Sequence, residues 1–193
     1  VAAEAGVGFT GAMPLAWRVN LESRIATRVL WQVAHFAYTS EDSIYHQAKA
    51  VVWPRYFTIH QTIKVDVQAR KSPLKSLDFV TLRIKDAIVD HFRTAIGNRP
   101  NVAIREPDVE VHAFLDATQC TLYIDTSGEP LFKRGRREFV GLAPLKKNLA
   151  AGILRLAHWQ PGMALLDPMC GSGTFLIEAA EMALGRAAGI DRK

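Results

Sequence analysis

The chain has 193 residues, of which 49% are hydrophobic and 22% charged, so it can bury a core and is not disordered throughout. No apolar run approaches the ~18–20 residues of a membrane-spanning helix. The net charge of +5 points to a polyanionic partner.

The amino end, Val1-Ala-Ala-Glu-Ala-Gly6, lacks the basic start and apolar block of a secretory signal. It also begins without Met, as expected of a chain with its start removed or of a piece of a longer one. Cys120 and Cys170 sit in no metal-ligand spacing and cannot form a disulfide framework. Both are expected to be small buried residues in a reducing, cytoplasmic compartment.

In chain order, residues 21–37 read as an amphipathic helix, with Leu21, Ile25, Val29, Leu30, Val33 and Phe36 on one stripe. Ser40 caps a second helix, which carries Glu41 and Asp42 in its first turn and stops at Trp53-Pro54. Residues 56–70 alternate as a long half-buried strand. Phe57, Ile59, Ile63, Val65, Val67 and Ala69 face one way, and Lys64, Asp66 and Gln68 the other. A helix follows over 76–95, ended by Gly97-Asn98, and then two strands around 109–115 and 120–124 joined at Asp116-Ala-Thr118. Strand, helix, strand, strand predicts an α+β module with helices on one face of a small sheet.

From Asp125 to Leu142 basic residues concentrate, with Lys133, Arg134, Arg136 and Arg137 within five positions. A helix opens at Pro144, a short strand covers 164–166 and ends at Asp167, and an alanine-rich helix covers 174–188. The six histidines show no ligand spacing, and no metal site is expected.

The loop between that last strand and helix, Asp167-Pro-Met-Cys-Gly-Ser-Gly-Thr174, carries the chemistry. Glycine lets backbone approach a ligand, and the free amides of a helix start attract an anion. A P-loop would need Lys-Ser/Thr after Gly173, where Thr174-Phe175 stands; a dinucleotide fold would need glycine at Leu176. The loop resembles the first motif of class I S-adenosylmethionine-dependent methyltransferases. That resemblance implies that Asp167, Pro168, Gly171, Ser172, Gly173 and Thr174 hold the methionine end of S-adenosylmethionine.

The likeness extends along the chain. Lys85-Asp-Ala-Ile-Val-Asp90, Arg99-Pro-Asn-Val102, Ser127-Gly-Glu-Pro-Leu131, Lys133-Arg-Gly-Arg136, Ala143-Pro-Leu-Lys146 and Ile177-Glu-Ala-Ala180 occur in order around that loop. Together they resemble the THUMP-domain RNA guanine-N2 methyltransferases, nearest the bacterial 23S rRNA enzymes of the RlmL type. The resemblance implies an incomplete ferredoxin-like part over 1–53, a THUMP module over 54–126, and over 127–193 a basic linker with the first βα unit of a Rossmann-like methyltransferase domain.

It also implies methyl transfer to N2 of a guanosine in rRNA. Arg83, Lys85, Arg93, Arg99, Lys133, Arg134, Arg136 and Arg137 are the candidates for phosphate contacts, since A-form RNA hides its base edges. One departure is Arg134-Gly-Arg136-Arg137, where the family has an aromatic residue before the last arginine. The target-amine motif and the acid that holds the cofactor ribose are expected beyond residue 193, so no catalytic residue is assigned here. Asp191 has about the spacing of that acid but lies in a polar tail. Three alternatives stand beside this reading: a non-catalytic RNA-binding module, a tRNA guanine-N2 methyltransferase, and an amino-methyltransferase acting on DNA.

Overall fold

The computed structural model describes residues 2–3, 6–134 and 145–192. Its elements run β1 (Ala2–Ala3), β2 (Gly6–Val7), α1 (Met13–Glu22), β3 (Leu30–Ala37), α2 (Glu41–Ala50), β4 (Ile63–Ala69), α3 (Leu77–Ile96), β5 (Val109–Leu115), β6 (Gln119–Asp125), α4 (Lys147–Leu156) and α5 (Thr174–Ala183), with a 3-10 turn at Trp53–Arg55. They fall into two units. One comprises residues 30–128; the other comprises 1–29 together with 129–193.

In the first unit the four strands lie in the order β3-β6-β5-β4, with β4 and β5 parallel and the other pairs antiparallel. Register places Ile63 beside Val109, Val65 beside Val111 and Ala113 beside Leu122, so one face of the sheet is apolar. Ile44 and Ala48 of α2 and Val80, Ile84, Ile88 and Phe92 of α3 cover that face. Ser40 caps α2 by accepting from the Ser43 amide, and Ser76 caps α3 by accepting from Phe79. Gly97 closes α3 with a left-handed φ of 77°. The α+β module with helices on one sheet face is the expected one. It begins at Leu30, so it takes in β3 and α2 as well as the 54–126 segment.

Two element expectations fail here for identifiable reasons. The helix over 21–37 is instead the end of α1, a turn, and strand β3. A bulge between Gln32 and Ala34 makes a three-residue step from Trp31 to Ala34, which pair with the neighbouring-strand residues Ile124 and Leu122. That extra residue imitates helical spacing. The strand over 56–70 is confined to 63–69, because Trp53 and Phe57 are drawn into the core by a 3-10 turn and the Gln61 amide then closes a turn onto the Thr58 carbonyl.

In the second unit α4 and α5 pack through Ala150, Ala151, Leu154 and Ala179, small and branched side chains that let helices approach. Gly189 donates its amide to the Leu21 carbonyl at 2.7 Å, and a Cβ there would stand 2.8 Å from the Asn20 carbonyl oxygen. The expected strand at 164–166 is not formed. A strand exists only through a ladder with a neighbour, and among the described residues none lies beside it; Leu166 is 87% exposed. The last helix ends at Ala183 rather than 188, where Leu184 and Gly185 turn the chain.

Candidate nucleic-acid groove and cofactor loop

Four of the RNA candidates converge. Arg83, Lys85 and Arg93 on α3 and Arg99 on the loop after it line one open groove of about 430 Å³. Arg83, Asp86, Asp90 and Arg93 repeat at three- and four-residue steps and so share a stripe of α3. Tyr45 from α2 forms the opposite wall: its hydroxyl donates to Asp90 at 2.8 Å, and the Arg83 guanidinium lies 4.3 Å over its ring. Three of the cations already have carboxylate partners, Arg83 with Asp42, Lys85 with Asp86 at 3.0 Å, and Arg93 with Asp90 at 3.5 Å. Arg99 is exposed and, among the described residues, is the groove cation without one. Tyr45 escaped the sequence reading, since a single tyrosine in a polar helix gives no signal of what it faces.

The basic stretch does not behave as one cluster. Lys133 is exposed and pairs with Glu129, holding that carboxyl below the usual range. Arg134 is buried, with 1% of its side chain exposed, and its Nη2 lies 2.7 Å from Glu178 Oε1. The expectation that Arg134 meets RNA is corrected on this ground: its charge is neutralised inside the unit. Arg136 and Arg137 lie outside the described residues.

Glu178, fully buried in α5, is the partner the sequence reading missed. Its Oε1 also takes Arg24 Nη1 at 2.9 Å. Arg24 reaches on to Glu181 at 3.4 Å and donates to the carbonyls of Glu181 and Arg186. The available signal was a glutamate flanked by apolar residues in Phe175-Leu-Ile-Glu-Ala-Ala180, where a solvated face would not be expected.

The loop ahead of α5 has the backbone that its glycines suggest. Gly171 and Gly173 have φ of +51° and +70°, a region costly for other residues. Asp167 Oδ1 accepts from the Met169 amide at 3.1 Å, and the Gly173 amide donates to the Cys170 carbonyl at 2.7 Å. The first intrahelical bond comes from Ile177 to Gly173, which leaves the amides of Thr174, Phe175 and Leu176 without helical acceptors. Among the described residues nothing stands within 4 Å of where a Gly171 Cβ would be, so backbone is open to a ligand there. These residues fit an anionic group on the amides and a cofactor passing Gly171. Pro168, Met169 and Cys170 are exposed, Ser172 and Gly173 half-buried, and Thr174 buried. Cys120 is buried as expected, with its thiol pushed up to about 12, but Cys170 is exposed because it sits on this loop. Asp191 is taken by Arg186, which reaches both carboxylate oxygens at 2.8 Å.

On the polar face of the sheet, Glu110, His112 and Asp125 bring their ligating atoms within 4.8 Å of one another. Burial disfavours a charged His112, but pairing with Asp125 and the charges of Glu110, Asp125 and Asp66 outweigh it and raise its pKa.

Comparison with known proteins gives three family matches along the chain: an RlmL ferredoxin-like domain over 1–30, a THUMP domain over 38–125, and an RMKL-like methyltransferase domain over 134–193. The ribosomal RNA large subunit methyltransferase K/L of Syntrophotalea carbinolica is 43% identical over 192 residues, 97% of this chain and 27% of the relative. In this order the three matches follow the RlmL-type THUMP methyltransferases, which the chain resembles along its length. It spans about a quarter of the length of the curated relatives it matches. Two solved family-like structures agree with its fold. A Listeria monocytogenes protein described as a predicted N6-adenine-specific DNA methylase has TM-score 0.84 and 32% identity, over 95% of this chain and 48% of its own. A protein described as a methyltransferase, solved as a complex with SAH, has TM-score 0.82 and 31% identity, over 93% and 47%. Among the described residues no helix is long and apolar enough to cross a membrane.

Proposed function

We propose that this chain provides the RNA-docking surface and the amino-terminal half of the cofactor site of an S-adenosylmethionine-dependent methyltransferase acting on N2 of a guanosine in 23S rRNA. The observation that carries the reading is the 167–174 loop, where two left-handed glycines lead straight into α5 and leave three amides without a partner among the described residues, beside open space. The methionine carboxylate suits those amides, since helix dipole and orphan N–H groups both favour an anion. Bound S-adenosylmethionine would supply an already activated methyl group, so the protein's part is to bind, orient and exclude water rather than to furnish a strong nucleophile.

RNA docking falls to the α3 groove. Arg99 offers an uncommitted guanidinium, and Arg83, Lys85 and Arg93 can exchange carboxylate partners for phosphates. Such contacts position a helix without reading its sequence. Filter binding of the chain to a 23S rRNA fragment, a tRNA and a DNA duplex at matched salt tests the proposal. The rRNA fragment is expected to bind tightest. Equal or tighter binding to tRNA would favour the tRNA enzyme, and preference for the duplex the DNA one.

A further inference from the structure

Glu178 stands one helical turn beyond Thr174, the first residue of α5, on the same stripe of the helix. It is 0% exposed and surrounded in sequence by apolar residues. Burying a carboxylate with two guanidinium groups is a poor way to stabilise a fold, because well-packed apolar side chains of similar volume do as well or better. The network is also incompletely satisfied: among the described residues, Glu178 Oε2 and Arg134 Nε are buried without a hydrogen-bond partner. Stability alone does not account for that arrangement.

Geometry does. A single oxygen, Glu178 Oε1, receives Arg24 at 2.9 Å and Arg134 at 2.7 Å. Arg134 also donates to the carbonyls of Leu131 at 3.3 Å and Arg24 at 3.2 Å. Arg24 donates to the carbonyls of Glu181 and Arg186 near the other end of α5, where the helix dipole favours a cation. Three segments distant in sequence, around residues 24, 131–134 and 178–186, are therefore tied at one carboxylate. Fixing Glu178 fixes both the rotation of α5 about its axis and its height, and so the position of the amides at 174–176 and of the glycine loop ahead of them.

We propose that Glu178 is a positioning residue of the cofactor loop, acting through α5 and held by Arg24 and Arg134. This rests on the reading that the loop holds S-adenosylmethionine, and the test separates the two. Hydrogen exchange is compared in wild type, Glu178→Gln and the double variant Glu178→Gln with Arg134→Gln, alongside thermal unfolding. Glu178→Gln leaves buried guanidinium charge uncompensated and lowers the melting temperature. The double variant removes the unpaired Arg134 and regains most of that loss.

In both variants the hydrogen-bonded amides of Gly173 and Ile177 are expected to exchange at least tenfold faster than in wild type, while those of α3 are unchanged. Loop protection that returns with stability in the double variant, or that never changes, overturns the proposal. Where Glu178→Gln does not fold, Arg134→Lys, which keeps the charge and loses the fork, carries the same readout. Binding of S-adenosylhomocysteine is measured in parallel on wild type and Gly171→Val. Failure of wild type to bind, or normal binding by Gly171→Val, removes the cofactor reading and leaves the exchange result to decide whether Glu178 positions the loop.

Discussion

Arg134 shares a Glu178 oxygen with Arg24 and keeps 1% of its side chain exposed, whereas Arg99 stands exposed at the rim of the α3 groove. Their substitutions separate accordingly. Arg134→Ala leaves Glu178 with one fewer cation and is expected to destabilise its unit by ~3–5 kcal/mol in urea unfolding, with no change in the salt dependence of RNA binding. Arg99→Ala is expected to leave stability within ~0.5 kcal/mol. It lowers the slope of log affinity against log salt by roughly 0.7–0.9, the contribution of one phosphate contact. An unaltered slope in a salt titration would take Arg99 out of the RNA surface. His112 gives a pH signature. Its folded pKa is raised, because Asp125, Glu110 and Asp66 outweigh burial. Its contribution to stability is therefore complete below the unfolded value near 6.5 and is lost as pH rises through the folded pKa. Thermal unfolding from pH 5.5 to 8.5 should show this loss in wild type and not in His112→Gln. Sequence alone could not place these three residues, since a basic run and a lone histidine look alike whether solvated or enclosed.

At the scale of elements, the parts legible in advance were those whose signal is local. Ser40 as a cap, Gly97 as a stop and the Asp116 hairpin all rest on hydrogen bonds within a few residues, and the structure has each of them. The errors lie where distant partners decide. β3 needs β6 to exist and its bulge hides its period, while 164–166 shows a strand pattern with no neighbour among the described residues to ladder with. Ser40→Ala should cost about 1 kcal/mol through loss of the cap on α2. Gly189→Ala tests a contact that no local pattern announces. Its Cβ would meet the Asn20 carbonyl oxygen at 2.8 Å and Leu21 backbone at 3.1 Å, so an overpacking loss of about 1–3 kcal/mol is expected in denaturant unfolding.

For the molecule as a whole, two units supply two kinds of surface. Residues 30–128 carry the groove with Arg83, Lys85, Arg93 and Arg99, and the unit of 1–29 with 129–193 carries the glycine loop and its buried ion network. The loop motif was readable from sequence because its demand is made by the backbone: two residues at positive φ followed at once by a helix. The groove was readable only as a set of separate charges, since its shape comes from α2 lying beside α3. The central claim is that the loop is a cofactor half-site. Titration of S-adenosylhomocysteine into isotopically labelled chain, followed by amide chemical shifts, tests it even at weak affinity. The account predicts saturable shifts concentrated at residues 171–176, absent in Gly171→Val, with α3 amides unmoved. No shift in wild type, or the same shifts in Gly171→Val, would contradict it.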